Sequence, residues 1–378
     1  MSAPSSSSAS DSPSRRRRLL LLAAATILAL TVLVAGLTVM LTGREEPPVA
    51  DPEPHPTAGE LRAYPTFGPD NAFDLDVSQA PVDPRSEEMI AHLRGQIDPN
   101  YSGIAALNVY DYTASLHVVD SSTPREDIEF YDCQDKGYTP EGLYDGPAQF
   151  ADVPIPPDAK PAPGTDKAMS IWSPETDQLW EFWVMERTDD GWRACWGGRI
   201  DDVSSNPGYF EHPFGATATG IPMVGTMLRV QDVASGSIDH ALGVALLSPA
   251  EASRWRYPAN RSDGGDTSPD AIPEGARLRL DPDLDLDTLD LTPVGRMIAE
   301  AAQTYGFIVV DRAGAVAVIG ESGIPEKNQL GVNPWETLIP GEPYRQMRNF
   351  PWDRVEVLRA DVGVPEGADV GDAEMVDD

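Results

Sequence analysis

The stretch Ala168–Trp196, AMSIWSPETDQLWEFWVMERTDDGWRACW, decides the fold reading. Ala168–Trp172, Gln178–Arg187 and Gly191–Trp196 are short runs of aromatic and apolar residues. Ser173-Pro174-Glu175-Thr176-Asp177 separates the first two, and a turn ending in Asp190-Gly191 separates the last two. Such runs, bounded by turn-formers, predict three consecutive strands. Five of the eight tryptophans lie here: Trp172, Trp180, Trp183, Trp192 and Trp196.

Working outward, the same period of two marks strands at 106–110, 115–119, 128–131, 276–280, 307–310, 315–319 and 354–358, with a continuous apolar run over 238–247. The pair 307–310 and 315–319 reads as a hairpin across Asp311-Arg312-Ala313-Gly314. Helical spacing occurs after Ser86, placed as an N-cap, and from Thr292 to Tyr305, where Thr292 caps and Pro293 fits the first turn. A short helix around Gln231–Ala234 stops at Gly236. Seven prolines between residues 137 and 167 predict loop there. The class is therefore mainly β: two packed sheets of sandwich or jelly-roll type with a few peripheral helices.

Upstream, Leu19–Thr42 carries no charge over 24 residues. As a helix it spans roughly 36 Å, enough for a hydrocarbon core of ~30 Å. Arg15–Arg18 on its N-terminal flank predicts a single-pass type II protein with the C-terminal part extracytoplasmic. A cleaved signal peptide is the competing reading, but its apolar core is normally much shorter. Residues 1–18 form a Ser-rich, basic cytoplasmic tail, 43–60 a Pro-rich acidic linker, 61–360 the β-rich domain and 361–378 an acidic tail expected to be disordered.

The 61 acids against 28 bases leave a net charge of −33, which disfavours nucleic acid as a partner. The bilayer, through residues 19–42, is the partner the sequence implies directly. Cys133 and Cys195 are the only cysteines, and outside the cytoplasm they suit one disulfide; two buried thiols are the alternative. The histidines at 55, 92, 117, 212 and 240 lack metal-ligand spacing, and there is no Walker loop, G-x-G-x-x-G or G-x-S-x-G elbow. The run Asp281–Asp287 fails as a calcium loop, with Leu286 at its sixth position and Thr292 at its twelfth. No metal centre and no cofactor is implied.

Chemistry is sought instead on Leu179–Arg187. Alternation puts Glu181 beside Trp183, a desolvated carboxyl beside a stacking surface for a sugar ring. A glycosidase needs a second carboxyl, for which Asp239 is the candidate, with His240 orienting or moving a proton. The bland reading pairs Glu181 with Arg193, Arg277 or Arg279 and makes the tryptophans and His240 core. Gly215–Pro222 reads either as a backbone-lined ligand loop or as a tight crossing inside the fold.

Trp180-Glu181-Phe182-Trp183, Gly215–Gly220, Ile238–Leu242 and Gly275–Asp281 resemble a group of uncharacterised secreted or membrane-anchored actinobacterial proteins over roughly residues 150–355. The resemblance implies an extracytoplasmic location and no particular activity. The functional expectation is binding or processing of cell-envelope glycans through Glu181, Trp183, Asp239 and His240. A non-catalytic envelope scaffold or protein-interaction domain is the alternative.

Overall fold

The computed structural model describes residues 63–368. The expected membrane segment 19–42, the basic tail and the linker lie outside the described residues, among which no helix is long and apolar enough to cross a membrane.

Fifteen short strands occur in this part: β1 (Ala106–Asn108), β2 (Ala114–Val118), β3 (Arg125–Glu126), β4 (Glu129–Phe130), β5 (Val153–Pro154), β6 (Ala168–Ser173), β7 (Gln178–Trp183), β8 (Glu186–Thr188), β9 (Gly191–Ala194), β10 (Trp196–Ile200), β11 (Leu242–Leu246), β12 (Arg277–Leu280), β13 (Phe307–Arg312), β14 (Ala317–Ile319) and β15 (Val355–Val357). Six form a mixed sheet in the order β1-β14-β11-β13-β12-β15, and four form a second in the order β10-β7-β6-β2. The pair β3-β5 and the trio β4-β9-β8 are small additions.

Alternation along the six-stranded sheet feeds two cores. Leu242, Val244, Leu246, Phe307, Val309 and Val318 pack with Met89, Ile90 and Leu93 of the helix Ser86–Ile97 and with Ile298 and Ala302 of the helix Pro293–Thr304. On the opposite face Ala245, Ile308, Val310 and Ile319 join Leu116, Met169, Ile171, Trp180 and Phe182 from the four-stranded sheet. The chain is thus mainly β, with the long sheet sandwiched between a helical layer and the shorter sheet. Parallel pairs β1-β14, β11-β13 and β2-β6 set this apart from a jelly-roll, whose strands are antiparallel.

Several local signals act as their chemistry dictates. Thr292 Oγ1 accepts from Gly295 N–H at 2.9 Å, and Pro293 opens the helix. Gly236 adopts φ +85° where the helix Val230–Ser235 stops.

Other signals are overridden. Ser86 does not cap its helix; its buried Oγ accepts from Val357 N–H at 2.8 Å and ties the helix to β15. Val184, at φ +53°, breaks the expected strand 178–187 into β7 and β8. Of the run 238–247 only Leu242–Leu246 is strand, and it separates β13 from β14, so the expected hairpin does not form. Five consecutive buried residues make β11 unsuited to an edge, and inserting it between two apolar partners covers both of its edges. Arg277 and Arg279 on β12 are buried rather than solvated. Arg279 donates to Val77 O, Ala80 O and Glu356, and Arg277 donates to Ala72 O, because residues 72–80 cross over that face. Residues 361–368, expected in the disordered tail, form turns whose Val364 and Ala368 pack on the core.

Candidate functional site

Between the two large sheets lies a cleft of about 1040 Å³. Its existence follows from side-chain size: Ala106, Ala168, Ala216, Ala245, Ala313 and Ala317 line it, and so many short side chains cannot fill the space. Trp183 at the end of β7 and Trp196 at the start of β10 also line it, as do Lys136, Asp166, Arg261, Asp263 and Asp311.

A bulge brings Asp311 there. In β11-β13 pairing, Val244 faces Val309 but Ala245 faces Asp311, so Val310 is the extra residue. Without the bulge, Asp311 shares the helix-side face of Phe307 and Val309. With it, both Val310 and Asp311 line the cleft. Glu274 arrives from the neighbouring chain, where Gly275 N–H donates to Val309 O at 2.7 Å and Val309 N–H to Ala276 O at 3.0 Å. Gly275 has φ +82°, and a Cβ there would lie 1.7 Å from Arg256 O, so only glycine allows this approach. Asp263 closes the group, its N–H donating to Glu274 Oε2 at 3.1 Å.

One carboxylate oxygen from each of Asp263, Glu274 and Asp311 lies within 4.8 Å of the others. Asp263 is exposed, Asp311 half-buried and Glu274 fully buried. At that spacing each ionised pair repels by about 3 kcal/mol for an effective dielectric of ~20. Burial pushes Glu274 up to about 8, and the charge of Asp263 adds to this. Burial and then Asp263 push Asp311 up to about 7, against donation from the Arg312 and Ala218 backbone.

Arg261 feels the charges of Asp311, Glu274 and Asp263, yet its hydrogen bonds go elsewhere. Its guanidinium donates to the carbonyls of Gly215, Thr217 and Ala218, and burial brings its pKa down to about 10. The Gly215–Pro222 segment is a tight crossing inside the fold: Thr219 Oγ1 donates to Val310 O at 2.8 Å and locks it to β13, while Ala216, Thr217 and Ala218 line the cleft.

The aromatic side of the cleft is stiffened. Trp183 Nε1–H donates to Asp166 at 3.3 Å. Trp196 stacks on Phe214 at 6.0 Å between centroids and donates to Pro213 O at 3.1 Å, with Lys136 Nζ 4.1 Å from its ring centre. Burial holds Lys136 below its ordinary pKa, and Arg261 acts in the same direction. Cys133 and Cys195 are joined by a disulfide, their Cα atoms 5.5 Å apart, which ties the Gln134–Lys136 loop to the strand leading into Trp196.

Of Glu181, Trp183, Asp239 and His240, the structure brings only Trp183 to the cleft. Glu181 is fully buried behind Met223 rather than paired with an arginine. It accepts from Met223 N–H at 3.0 Å, Val224 N–H at 3.1 Å and Ser170 Oγ at 3.1 Å. Burial pushes it up to about 7, opposed by those three donors. Asp239 is exposed, and His240 is buried with Nε2 3.1 Å from Asp232 and Nδ1 2.9 Å from Ala241 O. Glu181, Asp239 and His240 are thus not assembled around the cleft, because the carboxylates at 181 and 232 are consumed in holding short helices in place. The sequence reading passed over Asp263, Glu274 and Asp311. Asp263 and Asp311 look like ordinary turn acids in it, and 48 positions separate them. The one available hint is glycine next to an acid, in Glu274-Gly275 and Asp263-Gly264. No family model, curated sequence or solved structure matches this chain.

Proposed function

We propose that the protein binds glycans of the cell envelope in the cleft between its two large sheets, held at the membrane by residues 19–42 with the β-rich part outside. The observation that carries this reading is the pair Trp183 and Trp196 on one open cleft that also offers Asp166 and Lys136. Flat aromatic faces take the apolar face of a sugar ring, and charged neighbours take its hydroxyls. The disulfide supports the placement outside the cytoplasm, as does the resemblance to uncharacterised secreted or membrane-anchored actinobacterial proteins. Any hydrolysis would draw on the carboxyls of Asp263 and Asp311 in preference to Glu181.

The test is a glycan array and hydrolysis screen on the full chain, with Trp183→Ala and Trp196→Ala. Binding that both substitutions weaken supports the reading; binding indifferent to both, or none at all, removes it. A non-catalytic scaffold is the second reading, favoured by the burial of Glu181 and His240 in completed hydrogen-bond networks. It predicts a blank array. Protease added to intact cells should cut the C-terminal part, and complete protection there would overturn the membrane orientation.

A further inference from the structure

We propose that Asp263, Glu274 and Asp311 form a site for a divalent cation of the calcium type, opening onto the cleft. Three observations support it independently of what the tryptophans bind. First, the three oxygens lie within 4.8 Å of one another. Oxygens held by one calcium at about 2.4 Å fall inside that bound, and calcium accepts several carboxylates in flexible geometry, whereas magnesium is seldom held by an all-protein carboxylate cage.

Second, Glu274 is fully buried and its Oε1 has no hydrogen-bond partner. The Ser262 hydroxyl, which accepts from Gly264 N–H at 3.1 Å, approaches this carboxyl without reaching hydrogen-bond geometry. Buried carboxylate oxygens are normally satisfied, so an unsatisfied one on a carboxyl grouped with two others points to a ligand. Third, Arg261, on which the charges of all three acids act, donates its hydrogen bonds to three backbone carbonyls and to none of the acids.

All three ligands are hard oxygens, which suits calcium over zinc or copper. Exposed Asp263 offers the entry path, and water in the cleft completes the shell. The backbone already holds the group in register through Gly275 N–H to Val309 O and Asp263 N–H to Glu274 Oε2.

The experiment takes the full chain in detergent, stripped with a chelator, and titrates calcium chloride by calorimetry at near-neutral pH and physiological salt. Thermal unfolding is followed in parallel. The expected result is saturable binding of one calcium per chain in the range up to about 1 mM, with a raised unfolding midpoint. Asp263→Asn should weaken it by roughly tenfold or more without lowering the metal-free midpoint, since Asp263 is exposed and its backbone supplies the structural bond. Asp311→Asn should do the same to affinity. Uptake that never saturates, or that neither substitution weakens, would be diffuse attraction to a chain of charge −33 and would overturn the site. Tighter binding of magnesium than of calcium would overturn the calcium assignment.

Discussion

Glu181 on one side and Glu274 with half-buried Asp311 on the other have pKa values raised to the same neighbourhood, yet they sit in opposite situations. Glu181, at about 7, is enclosed by the N-terminus of the helix Met223–Thr226 and by Ser170, and its two oxygens receive three hydrogen bonds. Glu274 and Asp311, at about 8 and about 7, stand beside a third carboxyl, with one oxygen unpartnered and the cleft alongside. Desolvation raises a carboxyl wherever it is buried. What separates a structural acid from a binding acid is whether its lone pairs are already used and whether a ligand has a path to them.

Removing each side should therefore have opposite consequences. Glu181→Ala strands two backbone N–H groups and a hydroxyl in the core, and should cost about 3–5 kcal/mol in denaturant unfolding without changing calcium affinity in protein that remains folded. A variant as stable as the wild type would break the contrast.

The pH dependence sharpens it. Because Glu181 holds its proton more tightly in the folded state than in the unfolded chain, its contribution is fully present below about 4.5. It is lost as pH rises through about 7, a change on the order of 3 kcal/mol. Glu181→Gln should remove that slope, so that the gap between variant and wild type moves in the variant's favour from pH 4.5 to pH 7. A constant gap across the window would show that Glu181 has no raised pKa.

On the other side, Asp311→Asn relieves repulsion and should stabilise the chelator-treated protein by about 1–2 kcal/mol while weakening stabilisation by calcium. Loss of stability in the metal-free state would place Asp311 with Glu181 as a structural group. The smallest effect on folding is expected for Trp183→Ala. Trp183 is only partly buried, so truncation should cost about 1 kcal/mol or less of stability while weakening glycan binding by about tenfold. A stability loss of about 3 kcal/mol or more with glycan binding unchanged would make Trp183 a core residue.

The two regions also differ in how far they were readable. The aromatic segment Ala168–Trp196 shows its strands because adjacent residues carry the alternation, and β6 and β7 pair as the intervening turn suggests. The acidic group has no such local signature. Asp311 reaches the cleft through a bulge at Val310 that exists only against β11, and Glu274 reaches it through the ladder with β13. The error over Glu181 has a physical reason too. Period two correctly put it with Trp183, but only the fold supplies the helix that covers the one and leaves the other at the opening.

By itself, the sequence determined what nearest neighbours control. That includes the cap at Thr292 and the proline after it, the stop at Gly236, the strands around the tryptophans, the charge that repels nucleic acid, and an uncharged run long enough for a bilayer. Tertiary structure alone decided the insertion of β11 between β13 and β14, the burial of Arg277 and Arg279, the engagement of Ser86 with β15, and the meeting of Asp263, Glu274 and Asp311. The reason is range. Dihedral preference and capping act over a few residues, whereas strand partners and unsatisfied lone pairs depend on segments tens to hundreds of positions away, whose approach no local pattern encodes.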